Sequence, residues 1–264
     1  MFKHIPKVMN FYWEGPSFSY LHYRSIKSFI DHNPDWECVV HTPNEESYIV
    51  PSWDTQEQYS CYRGESYFPK LSQLDLTIKQ FSIPDEYKPL HRVHRSDLFR
   101  LNLLSTVGGG WADCDILFVK PMENLLKSKY GPVLNGVDTV DHNEVKTVIA
   151  SYPIAKENYL SQIWPIGFFL SAPNNSFFKQ VEDAAFAKLS SIDSKRYQGI
   201  GAELFQELYP TATHFRLENP TAVNLGQCPF YAVPCTAVET LFEDGDTKIV
   251  EENSDIVGIH WFNG

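Results

Sequence analysis

The sequence predicts an α/β fold: one domain on a mostly parallel central sheet with helices on both faces. Three observations predict it. Strand-like and helix-like segments alternate through the first two-thirds of the chain, as they do where helices form the crossovers of a parallel sheet. The 264 residues suit one large domain. No internal repeat, low-complexity tract or Gly/Ser linker divides them.

The elements follow in order. Lys7 to Tyr12 is an apolar run between Pro6 and Gly15-Pro16, which predicts a buried strand. Ser17 is placed to cap a helix in which Tyr23, Ile26 and Ile30 share a face, and Pro34 ends it. Trp36 to His41 reads as a second strand, and a loop rich in Pro, Ser and Tyr covers 43–69. Leu71, Leu74, Ile78 and Phe81 recur at helical spacing. Pro89 suits the first turn of a longer helix whose broad apolar face holds Leu98, Phe99, Leu101, Leu103, Leu104 and Val107, and Gly108-Gly109-Gly110 stops it. Trp111 to Val119, Pro132 to Val137 and Ile166 to Ser171 read as strands. Asn174 or Asn175 caps a helix with Phe178, Val181, Ala185 and Leu189 along one side. A short helix over Ala202 to Leu208 and strands over Phe230 to Val233 and Ile256 to Trp261 complete the chain.

A formal net charge of -11 argues against a broad polyanion-binding surface. One local basic cluster exists, made of Lys88, His91, Arg92, His94 and Arg95. The aromatic share of 14% supplies rings for stacking on sugars or bases, and equally for a ring-rich core. Five cysteines with no C-x-x-C pair predict neither a zinc site nor a disulfide framework, and so a reducing compartment. No signal peptide is read ahead of the first strand, and the nearly apolar stretch Trp164 to Ala172 is too short to span a bilayer. A cytoplasmic protein without a membrane span is expected.

The chemistry gathers between Arg95 and Pro121. Asp113 and Asp115 are two residues apart, and in a regular strand both carboxylates would point to one side. Two converging carboxylates repel, and a hard divalent cation removes that repulsion. Mn²⁺ or Mg²⁺ takes few oxygen ligands from protein and the rest from phosphate and water. Such a cation clamps a diphosphate and neutralises its growing charge as it leaves. Asp-x-Asp alone is weak, since roughly one occurs by chance in a chain of this kind. The second copy, Asp244-Gly245-Asp246, lies in a polar stretch and reads as a solvated turn. Context sets the first apart. Three glycines precede it and permit φ > 0 and close backbone approach. Asp97 and Arg100 share a face of the preceding helix, with Ser96 at its edge.

This segment resembles the DXD-motif sugar transferases. Their pattern is Ser-Asp-x-x-Arg, a helix, Gly-Gly, an aromatic and Asp-x-Asp, and Ser96, Asp97, Arg100, Gly108, Gly109, Trp111, Asp113, Asp115, Lys120 and Pro121 fit it. The family includes fungal initiating mannosyltransferases, bacterial capsular and lipopolysaccharide transferases and, distantly, glucosylating toxins. Trp111 stands where relatives usually carry Tyr. Ile5-Pro6-Lys7 with Trp13 and Gly15 resembles the family's opening strand, with Asn10 and Glu14 as departures. Gly258-Ile259-His260-Trp261 resembles its closing segment.

The resemblance implies a GT-A type, Rossmann-like nucleotide-binding fold. In it Trp13 stacks on the base of a UDP- or GDP-sugar donor. Asp97 accepts hydrogen bonds from donor-sugar hydroxyls, and Arg100 donates to sugar or diphosphate. Asp113 touches ribose and sugar hydroxyls or a metal-bound water. Asp115 and His260, with Asp113 beside them, make the Mn²⁺ or Mg²⁺ site. Asp97, Arg100, Asp113 and Asp115 form the catalytic set, and Ser96, Trp111 and Trp261 join the donor contacts. Residues 1–120 become the donor half, and 121–264 the acceptor half with the closing metal-ligand segment. Relatives retain anomeric configuration, so an α-linked product on a glycan or other hydroxyl acceptor is expected. Glu203 is one carboxylate placed to face that acceptor; read otherwise, it is a first-turn residue favourable to its helix dipole. Two other functions compete: a glycosyltransferase acting on modified bases of DNA, guided by the basic cluster, and a nucleotide-sugar-binding module without turnover. A nucleotidyltransferase needs an N-terminal Gly-rich phosphate loop, and residues 1–40 contain only Gly15.

Overall fold

The computed structural model describes residues 2–15, 17–44, 64–127, 143–156, 159–189, 196–233, 238 and 255–261. The order is β1 (Val8–Tyr12), α1 (Tyr20–His32), β2 (Glu37–Pro43), β3 (Thr77–Phe81), α2 (Arg92–Thr106), β4 (Gly109–Ala112), β5 (Ile116–Phe118) and α3 (Asn124–Lys127). Then come β6 (Thr147–Ile149), β7 (Tyr152–Lys156), β8 (Tyr159–Ile163), β9 (Phe168–Ser171), α4 (Ser176–Leu189), α5 (Ala202–Leu208), α6 (Ala212–Glu218), β10 (Ala222–Asn224), α7 (Cys228–Tyr231) and β11 (Gly258–His260). A seven-stranded sheet runs β10-β6-β9-β4-β1-β2-β3. Only β9 runs against its neighbours β4 and β6; every other pair in that sheet is parallel. β11 pairs antiparallel with β5, and β7 with β8.

Strand alternation divides the core into two layers. Met9, Phe11, Cys38, Val40, Ala112, Val148, Phe168, Leu170 and Val223 point to the face covered by α1 and β5. Tyr12, Trp111, Ile149, Phe169 and Ala222 point to the other, covered by α2, α4, α5 and α6. The expected fold class is therefore the observed one.

Several local expectations are corrected. Ser19, not Ser17, caps α1: its Oγ accepts from the His22 amide at 3.2 Å, and the His22 ring returns the bond to the Ser19 amide. The helical spacing of Leu71, Leu74, Ile78 and Phe81 is misleading. Phe68–Gln73 is a 3₁₀ helix that buries Leu71 and is capped by Leu74, and Ile78 and Phe81 lie in the edge strand β3, paired along β2 from Thr77–Val39 to Phe81–Pro43. Pro89 precedes α2 rather than entering it, and His91 caps that helix. Phe230 to Val233 is not a strand, because Cys228–Tyr231 forms α7 with Pro229 in its first turn. Asn175 rather than Asn174 caps α4, accepting from the Phe177 amide at 3.0 Å. The predicted strand Pro132 to Val137, Asp244-Gly245-Asp246 and most of the 43–69 loop lie outside the described residues.

The three glycines serve the sheet. Gly108 and Gly109 have φ of +73° and +97°. A Cβ on Gly108 would stand 2.7 Å from the backbone of Ser171, Ala172 and Pro173, and one on Gly109 would stand 2.8 Å from the Val8 carbonyl. They let α2 turn into β4 between β9 and β1, at the opposite end of β4 from Asp113.

His41 on β2 is buried at 7% exposure and its Nε2 meets Asn10 Oδ1 at 2.9 Å. Burial, aided by Lys79, lowers its pKa from 6.5 to about 4. The folded chain thus binds fewer protons than the unfolded chain between those values, so stability falls as pH drops through that window. We expect a loss of roughly 2–3 kcal/mol from this group. Urea midpoints at pH 7 and pH 4.5 measure it, and His41→Gln, which cannot titrate, should lose less.

Candidate active site

A cleft of about 600 Å³ opens beyond the C-terminal ends of β1 and β4. Open α/β sheets bind ligands at that edge. Its walls include Trp13, Glu14, Ser96, Asp97, Arg100, Asp113, Asp115, Trp164, Tyr231 and His260. A smaller cleft of about 320 Å³, near Lys146 and Asn175, lies at the opposite edge and holds none of the predicted residues.

Trp13 follows β1. Its amide donates to the His41 carbonyl at 3.0 Å and its indole Nε1 to the Gly15 carbonyl at 3.2 Å. Phe18 and His22 hold the ring at centroid distances of 4.9 and 4.5 Å. The half-buried indole is a fixed wall of the cleft.

Asp97 and Arg100 come from the buried face of α2. Arg100 Nη2 donates to Asp97 Oδ1 at 2.8 Å, Nη1 donates to the Ile166 carbonyl, and Nη1 lies 3.5 Å from Asp113 Oδ1. The guanidinium also sits 4.9 Å over the Trp111 ring. Asp97 Oδ2 and Arg100 Nε are buried with no hydrogen-bond partner among the described residues. Burial pushes the Asp97 carboxyl up to about 7, Arg100 opposing and Asp113 adding to the rise.

Asp113, Cys114 and Asp115 form a turn between β4 and β5. The strand expected from Trp111 to Val119 is thus two strands, and the turn, not strand alternation, brings both carboxylates into the cleft. Asp113 is anchored by its amide on the Gly167 carbonyl at 2.8 Å and by the Trp111 indole on Oδ1 at 2.8 Å. Its pKa is raised by burial, Arg100 opposing and Asp115 adding. Asp115 Oδ2 lies 3.2 Å from His260 Nε2. The β5–β11 ladder makes this meeting, since it sets His260 opposite Ile116 and lets the Trp261 amide donate to the Asp115 carbonyl at 3.0 Å. Burial works against protonation of His260, but the charge and hydrogen bond of Asp115 outweigh it and raise its pKa above 6.5.

The donor set bears on the expected cation. Among the described residues no group of three His, Cys, Asp or Glu side chains is arranged to hold a metal ion. What the turn offers is one carboxylate and one imidazole, Asp115 and His260, with Asp113 already engaged by Trp111 and Arg100. Two protein ligands suit a hard divalent ion that completes its shell with phosphate and water.

Three expectations change. Trp111 is 1% exposed and belongs to the core, so it does not line the cleft; it orients Asp113. Trp261 donates its indole N–H to Ser25 Oγ at 3.0 Å, packs beside His22 and is not in the cleft wall. Glu203 stands in the first turn of α5, paired with Arg196 at 2.5 Å and outside the cleft. The basic cluster is not one surface either. Arg95 is buried against Glu14, the His94 ring meets the Arg196 carbonyl at 3.0 Å, and Lys88 pairs with Asp85. Arg92 stays in the cleft wall. Sequence reasoning missed Gly167, whose open face lies against both the Asp113 carboxylate and the Tyr231 hydroxyl, and missed Tyr231 with it.

Residues 20–131 match the family model "Glycosyltransferase sugar-binding region containing DXD motif", and residues 78–193 match "Capsular polysaccharide synthesis protein". No curated protein matches significantly. The structure of the PaToxG glycosyltransferase is similar over 95% of this chain and 77% of its own, with a TM-score of 0.52 at 14% identity. GlyE of Streptococcus pneumoniae TIGR4 is similar over 98% of this chain and 55% of its own, with a TM-score of 0.49 at 11% identity. The fold is the expected GT-A type. Among the described residues no helix is long and apolar enough to cross a membrane.

Proposed function

We propose that this chain, whose residues 20–131 match the model of the DXD-motif sugar-binding region, is a metal-dependent glycosyltransferase that moves a hexose from a UDP- or GDP-sugar to an acceptor hydroxyl on a glycan, with retention. The observation that carries this is the convergence of Trp13, Ser96, Asp97, Arg100, Asp113, Asp115 and His260 on one cleft at the sheet's C-terminal edge.

In this reading Trp13 offers its indole face to the base. Asp97 Oδ2, which has no hydrogen-bond partner among the described residues, accepts from a sugar hydroxyl. Arg100, held in place by Asp97 and the Ile166 carbonyl, presents positive charge to the sugar-diphosphate. Asp115 and His260 would hold Mn²⁺ or Mg²⁺, which would supply charge neutralisation for the diphosphate leaving group. Residues 1–120 bring the donor contacts, and 121–264 shape the acceptor side and return His260.

Retention is supported by the carboxylates of the cleft. Those among the described residues are Glu14, Asp97, Asp113 and Asp115. Glu14 is bound to Arg95 and Tyr12, and in this reading Asp97, Asp113 and Asp115 serve the donor, which leaves no described carboxylate of the cleft for the base that inversion requires. Cys38 and Cys114 are free thiols in the core, which accords with a cytoplasmic location.

The test is thermal stability against a panel of nucleotide-sugars with and without Mn²⁺. A donor that binds the folded state raises the melting temperature by mass action. We expect one nucleotide class to stabilise the protein only with the metal, and release of nucleoside diphosphate on adding acceptor. Equal shifts with and without Mn²⁺ would remove the metal from the mechanism, and absence of diphosphate release would leave a binding module.

A further inference from the structure

Tyr231 has a role none of the assigned residues fills. It ends α7 at 2% exposure, borders the cleft and packs its ring 5.4 Å from His260 and 6.4 Å from Tyr152. Its hydroxyl is buried and has no hydrogen-bond partner among the described residues. Such a group costs stability unless something satisfies it, and here nothing in the described protein does.

Gly167 shows where the hydroxyl points. A Cβ on that glycine would stand 3.2 Å from Tyr231 Oη and 3.2 Å from Asp113 Oδ2. The two oxygens therefore converge over the bare face of Gly167. One belongs to a phenol that donates, the other to a carboxylate that only accepts. A group that fits between them must accept from the first and donate to the second. A sugar hydroxyl does both. A phosphate oxygen only accepts and would meet the Asp113 charge.

We propose that Tyr231 and Asp113 together bind one hydroxyl of the hexose carried by the nucleotide, with Tyr231 as hydrogen-bond donor and Gly167 kept bare to admit it. This rests on the nucleotide-sugar reading above and adds a sugar-binding residue to it.

Tyr231→Phe removes one oxygen and keeps the ring packing. The ligand-free variant should melt at or above the wild-type temperature, since the lost hydroxyl had no protein partner. Affinities are measured calorimetrically with Mn²⁺ for UDP-glucose, UDP-galactose and GDP-mannose, and for UDP and GDP alone. For the nucleotide-sugar that wild type binds, Tyr231→Phe should bind about tenfold more weakly, while the free diphosphate changes by less than about twofold. Gly167→Ala, which fills the shared space, should show the same selective loss. Unchanged sugar-nucleotide binding in Tyr231→Phe, or equal weakening of sugar-nucleotide and free diphosphate, overturns the proposal. Failure of wild type to bind any of these ligands overturns the nucleotide-sugar reading itself, a result separate from either of those.

Discussion

Asp115→Asn is expected to lower nucleotide-sugar turnover by about 10²–10³-fold, with little change in stability. The reason is charge rather than shape. Asparagine keeps the size of the side chain and can still face His260, and the Trp261 amide bonds to the backbone carbonyl of residue 115, which the substitution leaves in place. What disappears is the negative charge that, in the proposed mechanism, would hold the cation together with His260. Glu203→Gln is the matched control. Its carboxylate pairs with Arg196 outside the cleft, so its turnover should stay within about twofold of wild type, as surface pairs contribute little. Initial rates of nucleoside diphosphate release at saturating Mn²⁺ measure both. An Asp115→Asn rate within threefold of wild type would mean that another group performs the task assigned here to Asp115.

The legibility of the chain follows from what each segment's neighbours demand. β1, β2, β9 and α2 could be read because they are continuously or broadly apolar and buried: Phe11, Val40, Phe168 and Leu104 are fully buried, and each lies in a run flanked by Gly, Pro or a cap. β3 could not. It is an edge strand whose first four residues are exposed, so its sequence carries no inward alternation, and the spacing of Leu71, Leu74, Ile78 and Phe81 mimics a helix. β6 and β10 were missed because three-residue strands in the sheet's far wing leave too little period to detect. In the site, the turn residues were visible because Asp-x-Asp follows a helix and three glycines. A turn rather than strand alternation aligns the two carboxylates. Tyr231 was invisible because Phe230-Tyr231 reads as core in any α/β protein. Only the bare face of Gly167, a property of folded space, gives its hydroxyl a direction.

Glu14→Ala is expected to cost about 3–5 kcal/mol of stability, a large share of the roughly 5–15 kcal/mol that a domain holds in total. Glu14 departs from the apolar residue that relatives often carry, and the structure accounts for it. Its side chain and that of Arg95 are each 3% exposed and form an ion pair, with Arg95 Nε donating to Glu14 Oε2 at 3.2 Å and the Tyr12 hydroxyl donating to the same oxygen at 2.6 Å. Arg95 Nη1 also donates to the Lys88 and Leu90 carbonyls at 3.0 and 2.7 Å, which ties the approach to α2 onto the end of β1. Removing Glu14 leaves a guanidinium buried without its counter-charge, and that uncompensated charge, more than the lost attraction, sets the cost. The double variant Glu14→Leu/Arg95→Met carries no buried charge. It should therefore lose less than the sum of the two single losses, although the Lys88 and Leu90 carbonyls forfeit their donor. Urea denaturation of wild type, Glu14→Leu, Arg95→Met and the double variant closes the cycle. Because Glu14 follows Trp13 directly, the same disruption should loosen the indole wall and weaken nucleotide binding in Glu14→Ala. Additive single losses in the cycle would show that the pair contributes nothing as a pair, and that Arg95 is held by its backbone carbonyls alone.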